Sequence, residues 1–273
     1  MHVSSLHEGF QQTGQSAGTE ATFGWLDRMD GNPLVRQVKR RMLDACPVGE
    51  GDQVLDVGCG LGHEARRLAE QVGPRGRVVG MDANGAMIAE ARKRAAGLTL
   101  PLDFEVGDAQ HVDLPGDAFD LCRTERVLRY LDSPEAAVGE MARLARPGGS
   151  VLAFDFDSDQ TVVDAPDPAL VRRIAEVLDA AVPQPWVGRQ LFGLFRRAGL
   201  HEVRVVPHAI CFSGAAGFAV YQQLNQGTID RAVQSGQVTA GEVAAWWATL
   251  TRAAEAEAFF SAVLGFIVAG RKP

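Results

Sequence analysis

Cysteine is scarce: the chain of 273 residues has four, Cys46, Cys59, Cys122 and Cys211, and no C-x-x-C pair. That spacing excludes a zinc knuckle and a thioredoxin-type dithiol. Cys59 and Cys122 sit in apolar, strand-like runs and read as small buried side chains in a reducing compartment. The six histidines (His2, His7, His63, His111, His201 and His208) never form an H-x-x-x-H or H-E-x-x-H pair, so no metal is expected. No apolar run approaches the ~18–20 residues that span a bilayer, so no membrane partner is expected. The opening stretch MHVSSLHEGFQQTGQSAGTE is polar and lacks the apolar core of a secretory signal, which points to a cytoplasmic chain. Basic residues are not in excess either. With 27 Lys and Arg against 34 Asp and Glu, the net charge is -7, which offers a polyanion no footing and argues against DNA or RNA. What remains is an ordinary globular composition, 46% hydrophobic and 22% charged, which excludes a disordered chain. The length fits one large domain, or one domain with an appended lid.

From about Gln53 to Phe156 short apolar runs alternate with helical periods. Gln53–Val57 reads as a buried strand, Gly58–Gly62 as a tight turn and His63–Val72 as a helix. Arg77–Met81 is a second strand. Asn84–Ala96 is a helix with Met87, Ile88, Ala91 and Ala95 on one face. Leu102–Val106 and Phe119–Arg123 are further strands, and Ser133-Pro134 opens a helix through Leu144. Pro147-Gly148-Gly149 marks its end, before a strand at Ser150–Phe156. Strands and helices in this order require crossover connections, hence a doubly wound α/β core with a parallel sheet and helices on both faces.

The flanks differ. Residues 1–46 read as loop, then as a helical cap from about Pro33 to Ala45. The core proper runs over 47–212, with helices inside 167–198 from Asp167-Pro168 to about Ala181 and from Trp186 to Ala198. Glu202–His208 is strand-like. An inserted segment, 213–258, reads as a helical lid and carries a capping box at Thr239-x-x-Glu242. The end, 259–273, includes the apolar run Phe260–Gly270, whose β-branched content favours an edge or penultimate strand.

The most informative segment is Val54-Leu-Asp-Val-Gly-Cys-Gly-Leu-Gly62. Glycines at a strand-to-helix turn admit positive φ and let a ligand approach the backbone. Asp82 ends the second strand, where an acidic side chain can accept from both hydroxyls of a ribose, and Asp108 follows the third. These strand ends converge on one crevice. A dinucleotide is the alternative ligand. The spacing argues against it, because His63 stands where G-x-G-x-x-G has its last glycine. So does Asp56, which would repel a pyrophosphate but suits a cationic ligand such as S-adenosylmethionine (SAM).

The runs VLDVGCGLGHEARRLA, VVGMDANGAMIAEARKR, VGDAQHVDLPGDAFDLC and ARLARPGGSVLAFDFD together resemble the class I SAM-dependent methyltransferases. They are closest to the small-molecule group that includes quinone and natural-product methyltransferases, with a type 11-like methyltransferase domain. The resemblance covers about residues 50–156, and the ending GFIVAGRKP is similar to that group's last strand. It implies a Rossmann-like sheet of seven strands with the last one antiparallel, completed by Glu202–His208 and Phe260–Gly270. It also implies SAM as cofactor and S-adenosylhomocysteine as product. Carried over by position, Asp56, Gly58, Cys59 and Gly60 would lie against the methionine end, and Asp82 and Ala83 at the ribose. Met87 would cover an adenine face or simply pack its helix. Gly107, Asp108 and Ala109 would meet the adenine edge, and Arg123 would contact the methionine end through its backbone.

The acceptor side is less determined. Relatives carry a histidine pair after the fourth strand; here Arg129 and Tyr130 stand there, which leaves the base open. The residues expected to carry catalysis are Glu125, Tyr130 and Asp155, with Arg126, Asp157 and His208 as further candidates and His111 as a loop residue. Asp155 and Asp157 share one face of their strand end. Phe212, Phe218, Tyr221, Trp246 and Trp247 offer apolar surface to a pocket or to the lid's own core. Arg28, Arg36, Lys39 and Arg40 read as a solvated basic helix face, or as neutralising an acidic ligand. The expected activity is methyl transfer to an O, N or C atom of a small, partly hydrophobic secondary metabolite or quinone-like acceptor. Two other readings stay open: a rearrangement or cyclisation on the same fold without methyl transfer, and a non-catalytic SAM-binding regulatory module. Monomer and homodimer stay open as well.

Overall fold

The structure, a computed structural model, describes residues 16–273. Near-continuous apolar runs such as β1 (Gln53–Val57) and β2 (Arg77–Asp82) can only be satisfied by burial on both faces, the signature of a parallel sheet covered by helices. They join β3 (Leu102–Val106), β4 (Phe119–Glu125), β5 (Ala145–Val163), β6 (His201–Ser213) and β7 (Phe260–Arg271) in one seven-stranded sheet of order β3-β2-β1-β4-β5-β7-β6. Strands β1 to β5 run parallel, and β7 runs antiparallel to both β5 and β6. The last strand takes the penultimate place, one of the two arrangements its β-branched run allowed.

Side chains alternate across the sheet. Val54, Leu121, Leu152, Phe154 and Ile267 point into one core, while Leu55, Val57, Cys122, Val151, Ala153 and Val268 point into the other. The second core is closed by α5 (Pro134–Leu144) and α7 (Val187–Arg197). The first is covered by α2 (Pro33–Ala45), α3 (His63–Val72), α4 (Gly85–Ala95) and α6 (Pro168–Asp179), and by the inserted pair α8 (Gly214–Gln234) and α9 (Ala240–Glu255). The Thr239–Glu242 capping box is present, with the hydroxyl accepting from the Glu242 N–H at 3.2 Å and the carboxylate accepting from the Thr239 N–H at 2.9 Å.

Three boundaries differ from the sequence reading. A helix α1 occupies Ser16–Gly31, inside the stretch read as loop, where Gly18, Gly24 and scattered apolar residues leave little periodicity. Residues 1–15 of that stretch lie outside the described residues. Strand β5 begins at Ala145, so Pro147-Gly148-Gly149 lies within it, and it continues to Val163. Strand β6 likewise runs on to Ser213. Both extensions are held by β7, which pairs Thr161–Val163 with Ser261–Val263 and Ala209–Ser213 with Phe260–Leu264. A register shift between Asp157 and Thr161 interrupts the alternation that would have announced the first of them.

Candidate active site

The site grows from the β1–α3 turn. Gly58 has φ +72°, and a Cβ built there would fall inside the Val127 side chain. Gly62, at φ +70°, opens α3, and a Cβ there would lie 2.5 Å from the Phe104 ring. Both positions therefore need glycine for conformation and for space. The N–H groups of Gly58 and Cys59 donate to the Met81 carbonyl at 2.7 and 2.9 Å, which fastens the turn to the end of β2. Asp82 accepts from the Gly60 N–H at 2.9 Å through Oδ2 and from the Asn84 N–H at 2.9 Å through Oδ1. Burial raises its carboxyl above the usual range, and these two backbone donors oppose the rise. Asn84 caps α4 by accepting from Ala86 and Met87, placing the buried Met87 against the same space. Beyond β3, Asp108 accepts from the Gln110 N–H at 2.9 Å, and that side chain and its neighbours hold it below the usual range against its partial burial.

Apart from Gly62, Asn84, Ala86 and Phe104, these line one cavity of about 1160 Å³ at the carboxyl ends of the strands. Asp56, Gly58, Cys59, Gly60, Asp82, Ala83, Met87, Gly107, Asp108, Ala109 and Arg123 all contribute to its wall, so the structure brings the expected cofactor residues together. The donor set suits a ligand with a cationic end. Carboxylates stand at the ends of β1 and β2 and after β3, and the cations beneath the glycine turn are already engaged by carboxylates.

That engagement is a buried network. In the β1–β4 register Asp56 stands beside Arg123. Arg123, 1% exposed, donates from Nη1 to Asp56 at 3.0 Å and from Nη2 to Glu125 at 3.0 Å. Lys39 on α2 meets Glu125 at 2.7 Å and Glu64 at 3.6 Å. Arg67 joins Glu64 to Asp30, and Arg126 closes on Glu125 at 3.0 Å. The four cations Lys39, Arg67, Arg123 and Arg126 thus balance Asp30, Asp56, Glu64 and Glu125. Burial pushes Asp56 up to about 6 against the pull of Arg123. Glu125 goes the other way: three surrounding cations hold it far below the carboxylate range despite its burial. A carboxylate so held is a poor proton acceptor, and Glu125 serves as an anchor for α2 rather than as a base. Lys39 is correspondingly not part of a solvated helix face.

The structure also corrects the placement of Asp155. Phe154, Phe156 and Ser158 face the cavity, so by strand alternation Asp155 and Asp157 face the opposite side. Asp155 is fully buried; it accepts from the Arg129 N–H at 3.1 Å and the Phe156 N–H at 2.9 Å and so shapes the single turn at Leu128–Tyr130. Asp157 is held by Arg189 of α7. Tyr130 does line the cavity, and burial raises its hydroxyl's pKa. His208 is buried against the Phe154 ring, outside the cavity wall, and His111 is exposed in the loop.

Of the expected aromatic residues, Phe212 and Tyr221 reach the cavity. Phe218, Trp246 and Trp247 do not; Phe218 and Trp247 stack with Tyr221 and Phe259 as the core of the insertion. The far wall is largely apolar, from Phe156, Leu178, Val182, Ile210, Val220 and Leu224. Polar groups also line that side, among them Thr161, Gln223, Asn225, Thr228 and Arg231, with Ser158 and Asp179. Ser158 accepts from Arg129 Nη2 at 2.8 Å, and Asp179 sits at the last residue of α6. No spacing pattern marks either one, because the cavity joins segments far apart in the chain.

A family model described as a methyltransferase domain matches residues 54–149, from the first strand into the beginning of β5. An uncharacterised 37.1 kDa protein in transposon Tn4556 of Streptomyces fradiae is 34% identical over 89% of this chain and 69% of its own length. The ubiquinone/menaquinone biosynthesis C-methyltransferase UbiE of Ralstonia pickettii is 31% identical over 56% of this chain and 68% of its own length. Among solved structures, phosphoethanolamine N-methyltransferase 2 of Haemonchus contortus, in complex with SAM, shares the fold with a TM-score of 0.62 at 17% identity, over 99% of this chain and 60% of that one. With the glycine turn, the acidic strand ends and the seven-stranded topology, these matches place the chain in the class I SAM-dependent methyltransferases.

Proposed function

We propose that the chain transfers the methyl group of SAM to an oxygen, nitrogen or carbon atom of a small, partly hydrophobic molecule, of the kind found among secondary metabolites and quinones. The observation that carries this reading is the two-ended cavity: an acidic, glycine-lined end under β1 and β2, and an apolar end under α6, α8 and β6. At the first end Asp56 and the Gly58–Gly60 backbone would hold the methionine part, with Arg123 contributing its backbone. Asp82 and Ala83 would hold the ribose, and Met87, Gly107, Asp108 and Ala109 the adenine. When bound, SAM supplies an electrophilic methyl on a sulfonium. What the chain adds is position: the apolar wall excludes water and holds a nucleophile in line with that methyl, which can account for several kcal/mol of the barrier.

The test is to incubate the purified protein with SAM carrying a labelled methyl and a fractionated small-molecule extract, and to follow products by mass. Label in a small molecule, with the mass gain of a CH2 unit, supports the proposal and identifies the acceptor. Consumption of a compound into an equal-mass product, without label, would show a rearrangement instead.

A further inference from the structure

We propose that Arg129 and Asp179 together bind the reacting hydroxyl of the acceptor, Asp179 accepting its proton and Arg129 holding the oxygen left behind. The inference rests on the methyl-transfer reading above and names its substrate class: an apolar body bearing a weakly acidic hydroxyl, phenolic or enolic.

Both side chains line the apolar end of the cavity, and the fold leaves each of them incompletely used. Arg129 donates from Nη2 to the Ser158 hydroxyl and stacks over the Tyr130 and Phe156 rings, each centroid 5.6 Å from its guanidinium carbon. No carboxylate pairs with it among the described residues, and its buried Nε has no partner. A guanidinium with spare donors in an apolar wall is a site for an anionic oxygen. Asp179 complements it: neither carboxylate oxygen has a protein partner among the described residues, and Oδ1 is buried. The connection between α6 and α7 brings the two onto one wall, because the Gln184 N–H donates to the Arg129 carbonyl at 3.1 Å and the Ser158 N–H to the Pro185 carbonyl at 2.8 Å.

The charges that act on Asp179 are those of Asp157 and Asp159 of β5, Arg129 of the turn and Arg189 of α7. Burial and the two aspartates push its carboxyl up to about 6, against the two arginines. It is therefore ionised at neutral pH, yet a stronger base than an exposed aspartate. An aliphatic alcohol lies beyond its reach, whereas a phenol-type hydroxyl, which titrates at ~10, comes closer once a guanidinium faces its oxygen. An amine is disfavoured by Arg129, and a carboxylate acceptor by Asp179. In the reaction the hydroxyl proton moves to Asp179. An electron pair of the resulting phenolate or enolate, on oxygen or on the conjugated carbon, forms the bond to the methyl as the carbon–sulfur bond breaks, its pair remaining on sulfur. Asp179 then returns the proton to water; for attack through a phenolate carbon, the ring hydrogen leaves to water as aromaticity returns and the product oxygen regains a proton.

The experiment uses the full chain saturated with S-adenosylhomocysteine, and measures the affinity of 1-naphthol and 1-naphthylmethylamine by calorimetry from about pH 5 to about pH 8. Naphthol is expected to bind tighter than the amine. Its affinity should fall as pH drops through about 6, and this step should vanish in Asp179→Asn. Arg129→Gln should weaken naphthol roughly tenfold or more while keeping affinity for S-adenosylhomocysteine, and Arg129→Lys should recover part of the loss. Any of four results overturns the inference: equal or tighter binding of the amine, no naphthol binding, a pH step that persists without Asp179, or loss of S-adenosylhomocysteine affinity in Arg129→Gln. A wild-type protein that does not bind S-adenosylhomocysteine would instead strike the methyl-transfer reading itself.

Discussion

Replacing Arg123 by methionine tests the buried network under the cofactor end. The substitution keeps much of the side-chain volume but leaves Asp56, 3% exposed, without a hydrogen-bond partner among the described residues. Glu125 would still have Lys39 and Arg126. Removing one partner of a buried ion pair costs about 3–5 kcal/mol, so Arg123→Met should lower the free energy of unfolding by that amount near neutral pH. The loss must depend on pH. The folded value of Asp56, about 6, lies above its ordinary 3.8, so the stability gained by protonation is fully present below the lower value and disappears as pH rises through the higher one. Without Arg123 the folded value climbs further, so the variant already carries a largely neutral Asp56 near neutrality, where the wild type is largely ionised. With the folded pKa raised by roughly two, the protonation linkage between neutrality and pH 5 differs by ~1.3 kcal/mol, so the loss near pH 5 should be smaller than that near neutrality by about that much. The assay is urea unfolding of both proteins at the two pH values, with Asp56→Asn/Arg123→Met as a partner that should regain most of the loss. A loss below about 1 kcal/mol, or the same loss at both pH values, would refute the reasoning.

Gly58→Ala should abolish measurable SAM binding, because the added methyl meets Val127 and the φ of +72° opposes any side chain. Shortening the neighbour, in Gly58→Ala/Val127→Ala, should relieve the clash and recover stability in part, leaving the backbone cost of about 1 kcal/mol, read by thermal unfolding. Trp246→Ala should cost about 3–5 kcal/mol by removing a side chain 1% exposed, yet leave SAM affinity unchanged, since Trp246 lies outside the cavity wall. Labelling with a thiol reagent in the native protein should reach Cys211 first, because Cys46 and Cys122 are buried and burial raises their thiol pKa.

The cofactor end was legible because its parts are local. A glycine turn, Asp82 at a strand end and the helix that follows each announce themselves within a few residues of chain. The strands from Gln53 to Phe156 were legible for the same reason, and the resemblance implied the seven-stranded sheet, apart from the ends of β5 and β6. There pairing to β7, rather than any pattern in Asp157–Val163 or Ala209–Ser213, makes the strand. The acceptor end was not. Glu125 read as a candidate base, and only its distances to Lys39, Arg123 and Arg126 show a carboxylate neutralised by cations from α2 and β4. Asp155 read as facing the crevice, and the register of β5 turns it away. Asp179 carried no signal at all, because its surroundings are assembled from β5, the turn after β4 and α7.

The central claim is that Asp82 and the glycine turn hold SAM. Calorimetric titration of SAM into the wild-type protein and into Asp82→Ala tests it most directly, with urea unfolding of both as the check on folding. The account predicts saturable, one-to-one binding to the wild type. In the variant it predicts affinity weaker by roughly tenfold to a few hundredfold, the loss expected for hydrogen bonds to a carboxylate. A wild-type protein that does not bind SAM, or a folded Asp82→Ala that binds it equally well, would contradict it.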